Sequence, residues 1–137
     1  MGRIIAIDYG LKRTGLAVTD PEKIIASPLD VVPSAKCIDY LIKYIGREDV
    51  ETLILGLPID LQSRETHATK PVKKFASELA NVFPEIPIHM VDERFTSKMA
   101  LDTMIMSGAK KKDRRKKGNL DKISATIILQ SYLEQIT

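Results

Sequence analysis

The amino-acid sequence predicts an α/β protein with a five-stranded mixed sheet and helices on both faces. Three strand-like segments joined by short turns open the chain, at residues 3–8, 14–19 and 24–32. Helix-patterned and strand-patterned segments then alternate over the remaining residues. Short turns connect antiparallel strands, whereas helical crossovers connect parallel ones, so both kinds of pairing are expected in one sheet.

The three opening segments each have a strand signature. Residues 3–8 are mostly β-branched and apolar, which is typical of a buried strand. In residues 14–19 the side-chain character alternates along the chain in a strand-like pattern, which predicts an antiparallel neighbour of the strand at residues 3–8. Pro28 interrupts residues 24–32, and because proline cannot donate a ladder hydrogen bond, it predicts an edge strand or a bulge.

Two amphipathic helices are expected in the middle of the chain. Ser34 is a suitable N-cap for the first, and Gly46 is expected near its end. The apolar stripe of this helix consists of Ile38, Leu41, Ile42 and Ile45. The stripe of the second consists of Val72, Phe75, Leu79 and Phe83.

Two further strands and two further helices complete the prediction. Residues 52–56 form a wholly apolar run, typical of a strand buried on both faces of a parallel sheet. Another strand is expected at residues 87–92. Helices are expected from Thr96 to Gly108 and over residues 119–135.

Length and composition favour a single soluble domain spanning residues 1–137. The sequence has no run of about 20 apolar residues and no signal-peptide pattern, so neither a membrane partner nor processing is expected. Cys37 is the single cysteine, which rules out an intramolecular disulfide and favours a buried thiol in a reducing cytosol.

The formal net charge of +3 conceals a dense basic segment at residues 110–117. That segment carries +6, which leaves −3 on the rest of the chain. Its cationic residues are Lys110, Lys111, Lys112, Arg114, Arg115, Lys116 and Lys117. Charge concentrated in this way favours a polyanionic partner such as nucleic acid, although a solvated loop without function is the alternative.

Acidic residues follow two of the predicted strands. Asp8 ends the first strand beside Gly10, and Asp92 and Glu93 end the strand at residues 87–92. Ligand sites in open sheets lie beyond the carboxyl ends of the strands. Because side chains alternate along a strand, one acid of the second pair is expected to face Asp8. The longer side chain favours Glu93, and Asp92 is the alternative.

Asp121 and Glu65 are further candidates. Asp121 lies in the first turn of the last helix, where an acid also stabilises the helix dipole without any other role. The small residues Ser124 and Ala125 would let that helix approach the sheet closely and bring Asp121 to the strand ends. Glu65, in the loop after residues 52–56, is the weaker candidate.

Carboxylates that converge in this way repel each other unless a cation lies between them. Mg²⁺ or Mn²⁺ would relieve the repulsion, and two such ions can hydrolyse a phosphodiester. The basic segment would then contact the nucleic-acid backbone. Other chemistries are less well supported, because His67 and His89 lack metal-ligand spacing and the chain has neither a P-loop nor a nucleophile elbow.

Four motifs in chain order resemble the RuvX family, also called YqgF. They are Asp8-x-Gly10-x-x-Arg13-x-Gly15-x-Ala17-x-x-Asp20, Gly56-Leu57-Pro58, Asp92-Glu93-Arg94-x-Thr96-Ser97 and Asp121-x-x-Ser124-Ala125. The resemblance covers nearly the whole chain. It implies an RNase H-like fold similar to that of RuvC-type junction resolvases, and a cytoplasmic bacterial nuclease that trims the 5′ end of pre-16S ribosomal RNA.

The resemblance also implies roles for single residues. Asp8, the acid at Asp92 or Glu93, and Asp121 would be the metal ligands. Arg13 and Arg94 would lie near the scissile phosphate.

Three other functions are weighed against a ribosomal RNA nuclease. A resolvase of branched DNA would use the same chemistry and should be a stable homodimer, whereas the RNA nuclease could be a monomer or a homodimer. A nucleic-acid-binding factor with a degenerate site would not cleave. A sugar-kinase-like fragment shares Asp-x-Gly after a strand, but such proteins need a second domain that this chain has no room for.

Overall fold

A five-stranded sheet lies at the centre of the fold. The computed structural model describes residues 2–57, 69–92 and 117–136. The strands are Arg3–Asp8 (β1), Arg13–Thr19 (β2), Ala26–Pro33 (β3), Val50–Leu57 (β4) and Ile88–Asp92 (β5). Their order across the sheet is β3-β2-β1-β4-β5.

The sheet is mixed, as predicted. β1 pairs with β2 and β2 with β3 in antiparallel fashion, while β1–β4 and β4–β5 are parallel. β3 is an edge strand, and its register against β2 shifts where Leu16 pairs with Asp30 and Ala17 pairs with Pro28. Leu29 is therefore the extra residue of a bulge beside Pro28, which confirms both expectations for this strand.

Helices cover both faces of the sheet. They are Cys37–Arg47 (α1), Thr69–Val82 (α2) and Lys117–Ile136 (α3). On one face, α1 and α2 pack on Ile5, Ile7, Leu16, Leu53 and Leu55. On the other face, α3 packs on Ile4, Ala6, Ala17, Ile54 and Val91. The alternation of apolar residues in β1 thus serves two separate cores.

The start of the first helix differs from the prediction. Ser34 does not cap α1 but begins a short 3₁₀ turn, Ser34–Lys36, and the residue preceding α1 is Lys36, which makes no side-chain capping hydrogen bond. The hydroxyl of Ser34 instead contacts the hydroxyl of Thr14 in β2 and the carbonyl of Gly10 in the β1–β2 turn. The helix ends at Arg47, one residue after Gly46, which was expected near its end.

The predicted apolar stripes are confirmed with two exceptions, one of which is Phe83, which follows the end of α2 and is only partly buried. Val72, Phe75 and Leu79 of α2 are buried in the core. Ile42 of α1 is instead 48% exposed, because the buried face of that helix is formed by Cys37, Leu41 and Tyr44. The predicted helix from Thr96 to Gly108 lies outside the described residues.

Cys37 is fully buried, as expected. Removal from water disfavours the thiolate, which raises the pKa of this thiol to about 12. Among the helices that the structure describes, none combines the length and the apolar character needed to cross a membrane.

Candidate active site

Asp8 lies at the edge of the sheet where the three parallel strands end. Ile7 pairs with Leu55 of β4, and Leu57 at the end of β4 pairs with Asp92 at the end of β5. The last residues of β1 and β5 therefore reach the same edge, with β4 between them. Strands are spaced about 4.8 Å apart, so the two backbones are separated by roughly 10 Å at this level.

The face of the sheet on which Asp8 lies follows from its neighbours. Ile5 and Ile7 belong to the core under α1 and α2. Tyr9 stacks on Phe75 of α2, with 4.4 Å between the ring centroids. Because side chains alternate along a strand, Asp8 between Ile7 and Tyr9 lies on the opposite face, the one that α3 covers. Its side chain is half-buried.

The direction of α3 brings its first turns to the edge that carries Asp8. Leu133, near the end of α3, packs in one cluster with Ile4 at the start of β1, and it lines a cavity with Ala26 at the start of β3. Tyr132 stacks on His89 near the start of β5, at a centroid distance of 5.8 Å. The carboxyl end of α3 thus lies at the amino end of β1, and α3 runs antiparallel to that strand.

The lengths of the two elements place the backbone of Asp121 within about one helical turn of the level of Asp8. From Leu133 back to Asp121 the helix rises about 18 Å, and from Ile4 to Asp8 the strand rises about 13 Å. Position 121 precedes the buried residues Ser124 and Ala125 by three and four residues, so the backbone places it on the side of α3 that faces the sheet. Ala125 is fully buried, as the expected close approach requires.

The odd-numbered positions of β5 face α3. His89 stacks on Tyr132 of α3, and Val91 belongs to the core beneath this helix. Ile88, an even-numbered position, packs with the core on the opposite face. Asp92 ends β5. Glu93 is the next residue along the chain and lies outside the described residues.

Arg13 is located at the same edge as Asp8. It is the exposed first residue of β2, which runs antiparallel to β1, and Asp8 pairs with Gly15 two residues further on. The structure thus places one predicted phosphate-binding arginine beside the first predicted metal ligand. The other cationic candidates, Arg94 and residues 110–116, lie outside the described residues, as does Glu65, and Lys117 is described by its backbone alone.

The turn between Asp8 and Arg13 is held by buried hydroxyl groups. The hydroxyls of Ser34 and Thr14 share a hydrogen bond of 2.8 Å, and Ser34 also donates to the carbonyl of Gly10. The backbone N–H of Ser34 donates to the carbonyl of Lys12 at 2.9 Å. A buried hydroxyl left without a partner costs about 1–3 kcal/mol, so these contacts fix the turn in one conformation.

Gly10 is required by the same turn. A Cβ atom at this position would overlap the carbonyl oxygen of Arg13 across the turn. The glycine of the Asp-x-Gly motif therefore permits a close approach of two backbone segments directly after Asp8.

The donor set that the structure describes is compatible with a hard divalent cation. Carboxylate oxygens are the ligands that Mg²⁺ and Mn²⁺ prefer, and a half-buried Asp8 at an open sheet edge can supply one. Among the side chains that the structure describes, which exclude those of Asp92 and Asp121, no group of three or more potential ligands lies together. Asp8 is the one predicted ligand whose side chain falls within the described part of the chain.

Comparisons with known proteins support this fold. The chain superimposes on RuvC from Thermus thermophilus in complex with Holliday junction substrate with a TM-score of 0.59, covering 99% of this chain and 96% of that one at 14% identity. A second RuvC structure from the same organism gives a TM-score of 0.54 at 14% identity and covers 98% and 96% of the two chains. These superpositions confirm the RNase H-like fold.

Sequence comparison reaches curated relatives over nearly full length. Proteins named "Putative pre-16S rRNA nuclease" are 53% identical in Porphyromonas gingivalis and 49% identical in Phocaeicola vulgatus. The alignments cover 98% of this chain and 97% and 96% of those proteins. A family model described as "RuvX: Holliday junction resolvase" matches residues 2–135.

Fold and relatives together define the class of the protein, which is a nuclease with an RNase H-like fold. Enzymes of this class hydrolyse phosphodiester bonds of nucleic acid and use divalent metal ions. The chain belongs to the RuvX family.

Substitution of Gly10 tests the role of the turn. Gly10→Ala should lower the free energy of unfolding by about 1–3 kcal/mol, because the new methyl group displaces the backbone at Arg13. It should also reduce cleavage of nucleic acid, since Asp8 and Arg13 flank the displaced segment. Chemical denaturation and a cleavage assay measure the two effects.

Gly46→Ala is the matched control. A Cβ at Gly46, within α1, meets nothing within 4 Å. This substitution should stabilise the protein by about 0.5–1 kcal/mol and leave cleavage unchanged. Equal behaviour of the two variants would contradict the assignment of Gly10.

Proposed function

We propose that the chain is a divalent-metal-dependent nuclease that processes the 5′ end of pre-16S ribosomal RNA. The observation that carries this proposal is the position of Asp8, at the carboxyl edge of the sheet and on the face covered by α3. Asp121 belongs to the second turn of α3, not to the first turn as expected from the sequence, because the helix begins at Lys117. The names of the relatives support the substrate. We also propose that residues 1–137 form one domain acting in the cytoplasm.

Asp8, Glu93 and Asp121 would hold the metal, Mg²⁺ or Mn²⁺. When bound, such an ion supplies charge stabilisation at the reacting phosphate and a water of lowered pKa. Asp8 is supplied by a buried strand and is oriented by the packing of Ile7 and Tyr9 on either side of it. Asp121 would be supplied by a helix packed on the same strand.

The alternation of β5 favours Glu93 over Asp92 as the third ligand. The odd-numbered residues His89 and Val91 share the face of Asp8. Glu93 is the next odd-numbered position, and its longer side chain suits a strand that is separated from β1 by β4. Asp92 is the alternative, and substitution of each acid alone distinguishes them.

Arg13 and the basic segment at residues 110–117 would bind the substrate backbone. Arg13 is exposed beside Asp8, where a guanidinium can contact the oxygens of a phosphate held at the metal. Arg94 follows the proposed ligand Glu93 directly in the sequence and would act on the same phosphate. The segment at residues 110–117 carries +6 and would neutralise more distant phosphates.

Cleavage of branched DNA is the second candidate function. The description of the family model and the RuvC complex with a Holliday junction favour it. Symmetric cleavage of a junction needs two active sites, so this function would require a stable homodimer, whereas RNA processing is compatible with a monomer. Comparing the two substrates at equal enzyme concentration, together with the molar mass in solution, decides between them.

Substitution of Asp8 tests catalysis. Substitution of a group that only supports a metal ligand lowers metal affinity or activity by about 10–100-fold. Loss of a ligand itself should cost more, so Asp8→Asn should reduce the cleavage rate of a pre-16S rRNA leader in Mg²⁺ by more than about a hundredfold. Binding of the RNA should persist, because the substitution removes no cation. The matched control is Asp39→Asn, which changes an exposed acid in the first turn of α1 and should cleave normally. If Asp8→Asn and the wild type cleave alike, the protein is not a nuclease of this kind.

Neutralising the basic segment tests nucleic-acid binding. The triple substitution of Lys110, Lys111 and Lys112 to Gln should weaken RNA binding and reduce the slope of log K against log salt by about 2–3, since each phosphate contact contributes about 0.7–0.9. Fluorescence anisotropy over a salt series measures the slope. The corresponding triple substitution to Arg keeps the charge and should keep the slope. An unchanged slope in the Gln variant would identify the segment as solvated surface.

A further inference from the structure

A groove of about 550 Å³ lies between the β1–β2 turn and the first turns of α2. It is lined by Tyr9, Leu11, Lys70, Pro71, Lys74 and Phe75. None of these residues belongs to the proposed metal site or to the basic segment at residues 110–117. Tyr9 directly follows Asp8 but its side chain lies on the opposite face, so the groove and the proposed active site lie on the two sides of one sheet edge.

The floor of the groove is apolar and rigid. Tyr9 and Phe75 form it by stacking, with an interplanar angle of 24°. Such aromatic pairs fix the positions of both rings. At the rim, Leu11 is 77% exposed although the turn that carries it is anchored by Ser34. A large apolar side chain held in water at the tip of a fixed turn is suited to contact a flat apolar group, such as a nucleobase.

The wall of the groove is cationic. Lys70 and Lys74 lie one turn apart on α2, which corresponds to a rise of about 6 Å. This spacing is comparable with that of successive phosphates in an extended single strand. The first turn of α2 contains no acidic residue, and Lys70 in that turn opposes the helix dipole, so helix stability does not explain this lysine. Lys74 lies one turn further on and lines the same groove.

Glu78 marks the far end of the groove. It lies two turns after Lys70, about 12 Å further along the helix. A carboxylate there repels phosphates, so an anionic chain occupies the part of the groove near Asp8 and leaves it before Glu78. The volume falls within the range of about 300–1,000 Å³ that is typical of small-molecule sites, which admits one or two nucleotides and excludes a duplex.

We propose that this groove binds the unpaired strand that flanks the scissile phosphate of the nucleic-acid substrate. Phosphates of that strand contact Lys70 and Lys74, and a base packs on Leu11 and Tyr9. The inference rests on the proposed nuclease function and adds to it a substrate class, namely structured nucleic acid with a single-stranded tail at the cleavage site.

Binding of tailed and blunt RNA tests the proposal. The probes are a fluorescent RNA hairpin without a tail and the same hairpin with a tail of about six nucleotides, added at the 5′ or the 3′ end. The full chain carrying Asp8→Asn keeps the RNA intact during anisotropy measurements. The tail should tighten binding by about tenfold at moderate salt and raise the salt slope by about 1.4, the value for two single-strand phosphate contacts.

Two variants and a matched control assign the effect to the groove. With K70Q and K74Q added, the tailed hairpin should bind no more tightly than the blunt one, and the tail should no longer raise the salt slope. The affinity for the blunt hairpin should stay within about twofold of its former value. Adding L11A should reduce the advantage of the tail without changing the slope. The control pair K36Q and K43Q removes two lysines that line a different cavity, beside α1, and should preserve the advantage.

The proposal is overturned if neither tail tightens binding, or if the groove variant and the control lose the same affinity for both hairpins. Failure of this inference is distinguishable from failure of the nuclease function. If the protein cleaves both hairpins but binds the tailed and the blunt hairpin equally, the nuclease function stands and the role proposed for the groove is wrong. An Asp8-intact protein that cleaves neither hairpin in Mg²⁺ or Mn²⁺ refutes the function itself.

Discussion

Side chains alternate between the two faces of the sheet along β1, and this alternation determines which face carries Asp8, the first proposed metal ligand. Ile5 and Ile7 pack under α1 and α2, and Tyr9 continues that row by stacking on Phe75. Because these side chains are buried in one core, Asp8 between them is turned towards the other face, where α3 lies. A slip of one residue would bury the carboxylate beneath α2 and separate it from α3. The core packing of an apolar strand thereby orients the polar residue at its end.

The turn after Asp8 connects the proposed metal site with the proposed substrate-binding groove. Buried hydroxyls of Thr14 and Ser34 hold this turn, and Gly10 permits its close backbone approach. One side of the turn carries Asp8 and Arg13 at the sheet edge. The other side carries Tyr9 and Leu11, which line the groove against α2. A short rigid segment therefore separates the proposed site of hydrolysis from the proposed site of strand binding.

Much of this arrangement is readable from the sequence, because it depends on local patterns. Three local patterns predicted their elements correctly. The apolar run before Asp8 forms β1, Pro28 lies in the bulged edge strand β3, and the stripe Val72, Phe75 and Leu79 forms the buried face of α2. The role of Ser34 was predicted wrongly as a helix cap, because a serine before an apolar stripe has the same local pattern whether its hydroxyl binds its own helix or a distant turn. The exposure of Ile42 was missed for a similar reason, since the rotation of α1 is set by packing of Cys37, Leu41 and Tyr44 on the sheet. The groove beside α2 had no sequence signal, because its two walls come from segments about 60 residues apart that only the fold brings together.

Binding of Mn²⁺ tests whether Asp8 and Asp121 contribute to one metal site, as proposed. Electron paramagnetic resonance gives the affinity for the wild type, for D8N, for D121N and for the double variant, without requiring catalysis. Each single substitution should weaken binding by more than about tenfold, and the effect of the double variant should be smaller than the sum of the two, because ligands of one ion are coupled. Wild-type affinity in D121N, or strictly additive losses in the double variant, would contradict the proposal.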